Sequence, residues 1–204
     1  IPSILNAWLL GSEAGNAIAD VLFGDYNPSA KLTMTVPRNA GQIPIFYSHK
    51  NTGRPLGNTE GKFQKFTSNY IDVRNEPLYP FGYGLSYSTF EYSNLKAAKN
   101  NISNNEEILI SVDIKNTGKI DGEEVVQLYV KHLNSKIQRP IKELKGFKRV
   151  FVEASKKLTV QIPLKASDLN YWNTEKQQFE LEKESVEIQI GSASNNIKLK
   201  KILK

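Results

Sequence analysis

The sequence predicts a mainly β protein: an antiparallel β-sandwich of immunoglobulin or fibronectin type III-like kind, preceded by a truncated α/β segment and a long ordered connection. Three features carry this prediction. From about Tyr87 onward, apolar and polar residues alternate in several short runs separated by turn formers. Before Gly24, one run repeats at helical spacing instead. Between Pro37 and Ser86 neither period holds.

Residues 1–40 read as the tail of an α/β sandwich domain. Ile4 to Leu9 is an apolar, β-type stretch. Ser12 is a good helix N-cap and Glu13 suits a first turn, after which Ala14, Ala17, Ile18, Val21 and Leu22 share one helical face until Gly24 ends the run. Asp25-Tyr26-Asn27-Pro28-Ser29 is dense in turn formers, and Leu32, Met34 and Val36 then alternate as a strand would. The apolar start, with no polar tail ahead of it, reads as a chain cut at its amino end. The strand and helix would then have lost the sheet they cover, and the expected consequence is a homodimer, or poor order up to about Arg38.

Residues 41–86 read as an irregular connection rich in Pro and Gly. Such a stretch is either a disordered tether or a functional loop laid over a surface. Its aromatics, among them Phe46, Tyr47, Phe63, Phe66, Tyr70, Tyr79, Phe81 and Tyr83, are a poor composition for disorder, so an ordered, packed crossing is expected. Gly82-Tyr83-Gly84-Leu85-Ser86 lacks the order of a nucleophile elbow and reads as a glycine-kinked lead into the sandwich.

Residues 87–204 read as the sandwich. Ile108, Ile110, Val112 and Ile114 share one face of a strand that Asn116-Thr117-Gly118 terminates. The alternation recurs at Val126, Leu128 and Val130, at Leu158, Val160, Ile162 and Leu164, at Val186, Ile188 and Ile190, and last near Ile197 and Leu199.

The 204 residues, 39% of them apolar and 10% aromatic, suffice for a core. The longest apolar runs fall far short of the roughly 20 residues that a membrane helix requires, so no membrane partner is expected. The chain has no cysteine, hence neither disulfide nor thiolate chemistry. The net charge of +6 raises the question of nucleic acid, but the lysines are interleaved with acids, and even the run from Arg139 to Arg149 is broken at strand spacing. Nucleic-acid binding is therefore not expected.

No self-sufficient active site is visible. Glu13, Asp20 and Asp25 have ordinary readings as first-turn acid, outer helix face and turn former. The two histidines, His49 and His132, have no ligand-spaced neighbours, so no metal site is expected, and His132 is expected to be exposed at a strand end. The loop from Tyr47 to Pro55 concentrates polar and aromatic groups, and Tyr47, His49 and Arg54 are the candidate substrate-binding residues.

Ala7 to Arg38, Pro44 to Pro55 ("PIFYSHKNTGRP"), Leu78 to Phe90 ("LYPFGYGLSYSTF"), Ile114 to Val130 and Arg139 to Val150 together resemble, in order, the end of family 3 glycoside hydrolases of the β-glucosidase type. The resemblance implies a three-part parent: a barrel bearing the nucleophilic aspartate, an α/β sandwich bearing the acid/base glutamate, and a fibronectin type III-like domain. It implies that both carboxylates lie in the missing N-terminal catalytic domains, so no catalytic residue is assigned here, and the isolated chain should be inactive. It further implies an oligosaccharide or β-glucoside substrate, no cofactor, and a periplasmic or secreted parent. The alternative is a non-catalytic sandwich that binds carbohydrate or protein. Two positions depart from the family pattern, Leu10 where proline is common and Ala30 where glycine is common, and Glu153-Ala154-Ser155-Lys156 stands where a Pro-Gly turn is common.

Overall fold

The computed structural model describes residues 3–55 and 65–204, so Phe63 lies outside the described residues. Along the chain come helix α1 (Ala14–Phe23) and strands β1 (Phe90–Ala97), β2 (Glu107–Asn116), β3 (Gly122–His132), β4 (Glu143–Val152), β5 (Lys157–Lys165), β6 (Tyr171–Asn173), β7 (Gln178–Glu180), β8 (Val186–Ala193) and β9 (Asn196–Leu203). Two short 3-10 turns sit at Ala40–Gln42 and Ala166–Leu169.

The strands form a three-stranded sheet, β1-β2-β5, and a four-stranded sheet, β4-β3-β8-β9, with β6-β7 as a separate hairpin. Every pairing is antiparallel. Each alternating run found after Tyr87 forms a strand. The core lies between the two sheets: Ile108, Ile110, Val112, Ile114, Val160, Ile162 and Leu164 from one meet Val126, Leu128, Val130, Val186, Ile188 and Ile190 from the other. Burying each such side chain contributes about 1.5–3 kcal/mol, so the sandwich is the stable unit on which everything else is mounted.

The opposite face of β3 is covered by the connection. Gln127 and Tyr129 point away from the core yet are buried. The Gln127 amide donates to the carbonyls of Gly82 (3.1 Å) and Ser192 (2.8 Å), and the Phe81 carbonyl accepts from Ser194 N–H (2.9 Å). Gly82 has φ +79°, the kink expected of this segment. Further back, Asn27 ties the N-terminal segment to the sandwich: its amide nitrogen donates to the Asp121 carbonyl (2.8 Å), while its oxygen accepts from Tyr87 N–H (2.8 Å).

The N-terminal segment corrects three expectations. Ile4 to Leu9 forms no strand, because no described residue offers it a ladder partner. Apolar periodicity reports burial in some context, not pairing itself. The helix starts at Ala14 with Glu13 at the cap position, not Ser12; the Glu13 carboxylate instead accepts from Asn16 Nδ2 (2.7 Å). Leu32, Met34 and Val36 form no strand either: Leu32 and Val36 bond to the Tyr79–Tyr83 stretch, with a single bridge between Val36 and Tyr79. The helix end matches its reading, with Gly24 at φ +90° and its N–H on the Asp20 carbonyl (3.1 Å). No residue of α1 is buried, and Leu9 and Phe23 are almost wholly exposed.

Candidate functional site

The loop from Tyr47 to Arg54 is held against the four-stranded sheet by its first residue. The Tyr47 ring stacks on Phe81 (4.4 Å, 22°) and meets Tyr129 edge-on (5.8 Å), and its hydroxyl accepts from Leu144 N–H (3.1 Å). Tyr129 in turn donates to Gln127 Oε1 (2.5 Å), and burial pushes its phenol pKa up. Lys142 lies 6.0 Å from the Tyr129 ring centre and donates to the Ser194 carbonyl (2.5 Å). Burial lowers its pKa, with Lys200 and Lys131 adding to the effect. Tyr47 is thus an anchor whose ring is occupied by the protein itself.

His49 and Arg54 are exposed. The His49 carbonyl accepts from Ile141 N–H (3.0 Å), and a bridge joins Lys50 to Pro140, so the backbone is fixed while the ring faces outward. His49 Nδ1 lies 3.0 Å from the Lys50 carbonyl, which places a proton on that nitrogen and leaves Nε2 to face solvent. The Arg54 guanidinium sits 5.9 Å from the Phe66 ring centre, and its carbonyl accepts from Ser68 N–H (2.8 Å). The loop therefore presents one imidazole and one guanidinium on a clamped backbone, with no carboxylate among its described side chains.

Glu13, Asp20 and Asp25 are all exposed. Buried Asp113 and Glu124 are paired with Lys157 (3.1 Å) and Lys31 (3.0 Å). Glu123 is bonded to Arg149, Ser29 and Tyr26, and the bond from Arg149 is the main cause of its lowered pKa. No group of three His, Cys, Asp or Glu among the described residues is placed to hold a metal ion. A shallow depression of about 370 Å³ at the β4–β5 turn, lined by Phe151, Glu153 and Lys156 among others, includes none of the candidate residues.

His132 corrects an expectation. Its side chain is only 3% exposed, and Nδ1 lies 2.5 Å from Glu184 Oε1, itself equally buried. Next to it, Glu182 accepts from Ser135 Oγ (2.6 Å), Lys136 N–H (2.6 Å) and Arg139 (3.4 Å). The partners are separated by 43 to 52 positions, and no local pattern announces a polar seam built that way.

Residues 1–87 match the glycosyl hydrolase family 3 C-terminal domain, and residues 124–194 the fibronectin type III-like domain. The chain is similar to the C-terminal part of family 3 glycoside hydrolases. It is 44% identical over 196 residues to the periplasmic beta-glucosidase of Salmonella typhimurium, covering 96% of this chain and 25% of that protein. It is 41% identical to thermostable beta-glucosidase B of Acetivibrio thermocellus (98% and 26% covered), and 39% identical to a beta-xylosidase of Formosa agariphila (99% and 27%). Among solved structures, the β-glucosidase of Listeria innocua in complex with isofagomine superposes with a TM-score of 0.87 at 37% identity, over 97% of this chain and 27% of that one. The chain thus spans about a quarter of the length of the relatives it matches.

Proposed function

We propose that this chain is the C-terminal part of a family 3 β-glucosidase that hydrolyses terminal β-linked sugars with retention, and that it supplies scaffold and part of the sugar-facing rim. The observation that carries the reading is the near-complete alignment of the chain with β-glucosidases, at 44% identity for the Salmonella protein. In this reading residues 1–40 finish the α/β domain, 41–86 connect, and 87–204 form the fibronectin type III-like domain. The nucleophile and the acid/base carboxylate come from the rest of the enzyme, since retaining hydrolysis needs two carboxyl groups about 5 Å apart and this loop brings none. The clamped loop offers His49 and Arg54 as hydrogen-bond donors to sugar hydroxyls, with Tyr47 positioning them.

The exposed apolar surface of Trp8, Leu9, Leu22 and Phe23 supports the same reading: it is the face that the preceding α/β elements would cover, and that a second copy would cover in the isolated chain. A periplasmic or secreted location accords with the Salmonella relative, and no helix among the described residues is long and apolar enough to cross a membrane.

The test uses the full-length enzyme. Arg54→Ala should raise KM for a β-linked glucosyl disaccharide about tenfold, the loss of one charge-assisted hydrogen bond, and change hydrolysis of an aryl β-glucoside much less. The isolated 204 residues should show no turnover. Activity in the isolated chain, or identical kinetics for the variant, would refute the assignment.

A further inference from the structure

Residues 66–75 form a second loop beside the one from Tyr47 to Arg54, and the two are stitched together. Ser68 N–H donates to the Arg54 carbonyl (2.8 Å), and the Arg54 guanidinium lies over the Phe66 ring. The second loop closes on itself through Asn75, whose Nδ2 donates to the Ser68 carbonyl (2.8 Å) while its Oδ1 accepts from Tyr70 N–H (3.2 Å). The far end is tied down by Gln42, which is only 1% exposed. Its Nε2 donates to the Arg74 carbonyl (2.8 Å), and its Oε1 accepts from Arg38 N–H (2.6 Å). The base of the loop is therefore fixed by its own backbone and by the connection, while the tip, Tyr70-Ile71-Asp72, is exposed.

Asp72 carries the one carboxylate of residues 47–55 and 66–75. Among the described residues it forms no ion pair and no side-chain hydrogen bond, not even with the exposed Arg74 two positions on. Four residues span at most about 14 Å, so Asp72 stays within that reach of Ser68, which is itself bonded to Arg54. A sugar hydroxyl both donates and accepts, whereas the guanidinium of Arg54 can only donate. The hydroxyl hydrogens of a sugar held by Arg54 therefore need an acceptor close by. A carboxylate answers that need, since it accepts through two oxygens and its charge strengthens each bond. Mounting it on a loop that is already closed lowers the ordering cost when the sugar binds.

We propose that Asp72 is a specificity-determining residue of the rim, its carboxylate accepting hydrogen bonds from hydroxyls of the same sugar unit to which Arg54 donates. In a β-linked glucosyl disaccharide that unit is the leaving one, so the pair favours a hydroxylated leaving group over an apolar aglycone. This rests on the β-glucosidase reading for the reaction and on the rim assignment of Arg54 for the position.

The experiment compares the full-length enzyme and its variants on a β-linked glucosyl disaccharide and on an aryl β-glucoside, beside the melting temperature. Asp72→Ala and Asp72→Asn should each raise KM for the disaccharide about tenfold, with kcat nearly unchanged and a much smaller effect on the aryl glucoside. Asp72→Glu, which keeps the acceptor, should recover most of the loss. Because both side chains hold one sugar unit, combining Arg54→Ala with Asp72→Ala should cost clearly less than the product of the single effects. Melting temperatures should not move. The role of Asp72 is refuted if disaccharide kinetics do not change, if the two substrates lose equally, or if the double variant shows the full product. It is also refuted if the alanine variant melts several degrees lower, which would place Asp72 in a contact with another domain. Failure of the β-glucosidase reading looks different: the wild-type enzyme would leave both substrates intact.

Discussion

A Cβ added at Gly82 would sit 2.1 Å from Oε1 of the buried Gln127, and the two residues are joined by the bond from Gln127 Nε2 to the Gly82 carbonyl (3.1 Å). The connection and the sandwich are in contact here with no room between them. Gly82→Ala combines left-handed backbone strain of about 1–2 kcal/mol with overpacking of about 1–3 kcal/mol. A loss of about 2–5 kcal/mol is expected in urea unfolding. In Gln127→Ala the clash is gone but the strain remains, so adding Gly82→Ala to that background should cost about half as much.

The sandwich was legible because its signals are local: Ile108, Ile110, Val112 and Ile114 alternate within one strand, and all four are buried. The helix that Gly24 ends is legible in its spacing, whereas Ile4 to Leu9 carries the composition of a strand without a ladder partner among the described residues. Tyr47 was legible as an ordered aromatic, but the sequence could not distinguish a ring that faces a ligand from one that packs on Phe81 and Tyr129, 34 and 82 positions away. The His132–Glu184 pair was invisible for the same reason, since its members meet only once β3 and the start of β8 are side by side.

The surroundings of that pair set the size of a second expected effect. Glu184 accepts from both His132 Nδ1 (2.5 Å) and Asn134 N–H (3.0 Å), and His132 Nε2 is buried without a partner among the described residues. Glu184→Ala would leave the buried imidazole with neither nitrogen bonded, so about 2–4 kcal/mol should be lost. The Lys99–Glu106 pair, with side chains 59% and 34% exposed, is the control: Glu106→Ala should change stability by no more than about 1 kcal/mol. Denaturant midpoints of the two variants measure the contrast.

Acid stability should depend on Asp113. Hydrogen bonds from Asn94 (2.8 Å), Thr159 (2.7 Å) and Lys157 (3.1 Å) hold its carboxyl down at about 2. The unfolded chain takes up this proton first, near the ordinary value of 3.8, so the stabilisation is complete above about pH 4 and fades as pH falls toward 2. Asp113→Asn should be less stable than the wild type at pH 7, and the difference should shrink between pH 4 and 2. Urea midpoints at pH 7, 4 and 2.5 test this; a constant difference would show that Asp113 does not titrate in that window.

The β4–β5 turn is where a departure from the family pattern has a readable cost. Lys156 N–H bonds to the Glu153 carbonyl (3.0 Å), and Ser155, the third residue of that turn, has φ +63°. Glycine is favoured at that position of a turn. Ser155→Gly relieves about 1–2 kcal/mol of left-handed strain but gives the unfolded chain about 0.4–1 kcal/mol of added freedom, for a net gain of about 0.5–1 kcal/mol. Ala154→Pro should not add to it, although proline commonly precedes glycine in such turns. The Ala154 N–H donates to Asp121 Oδ1 (2.8 Å), and a proline ring would delete that donor, offsetting what its fixed φ contributes. The expected order in thermal melts is therefore Ser155→Gly above wild type, and the double variant at or below Ser155→Gly alone. A double variant more stable than the single one would mean that the Asp121 bond contributes little to holding this turn.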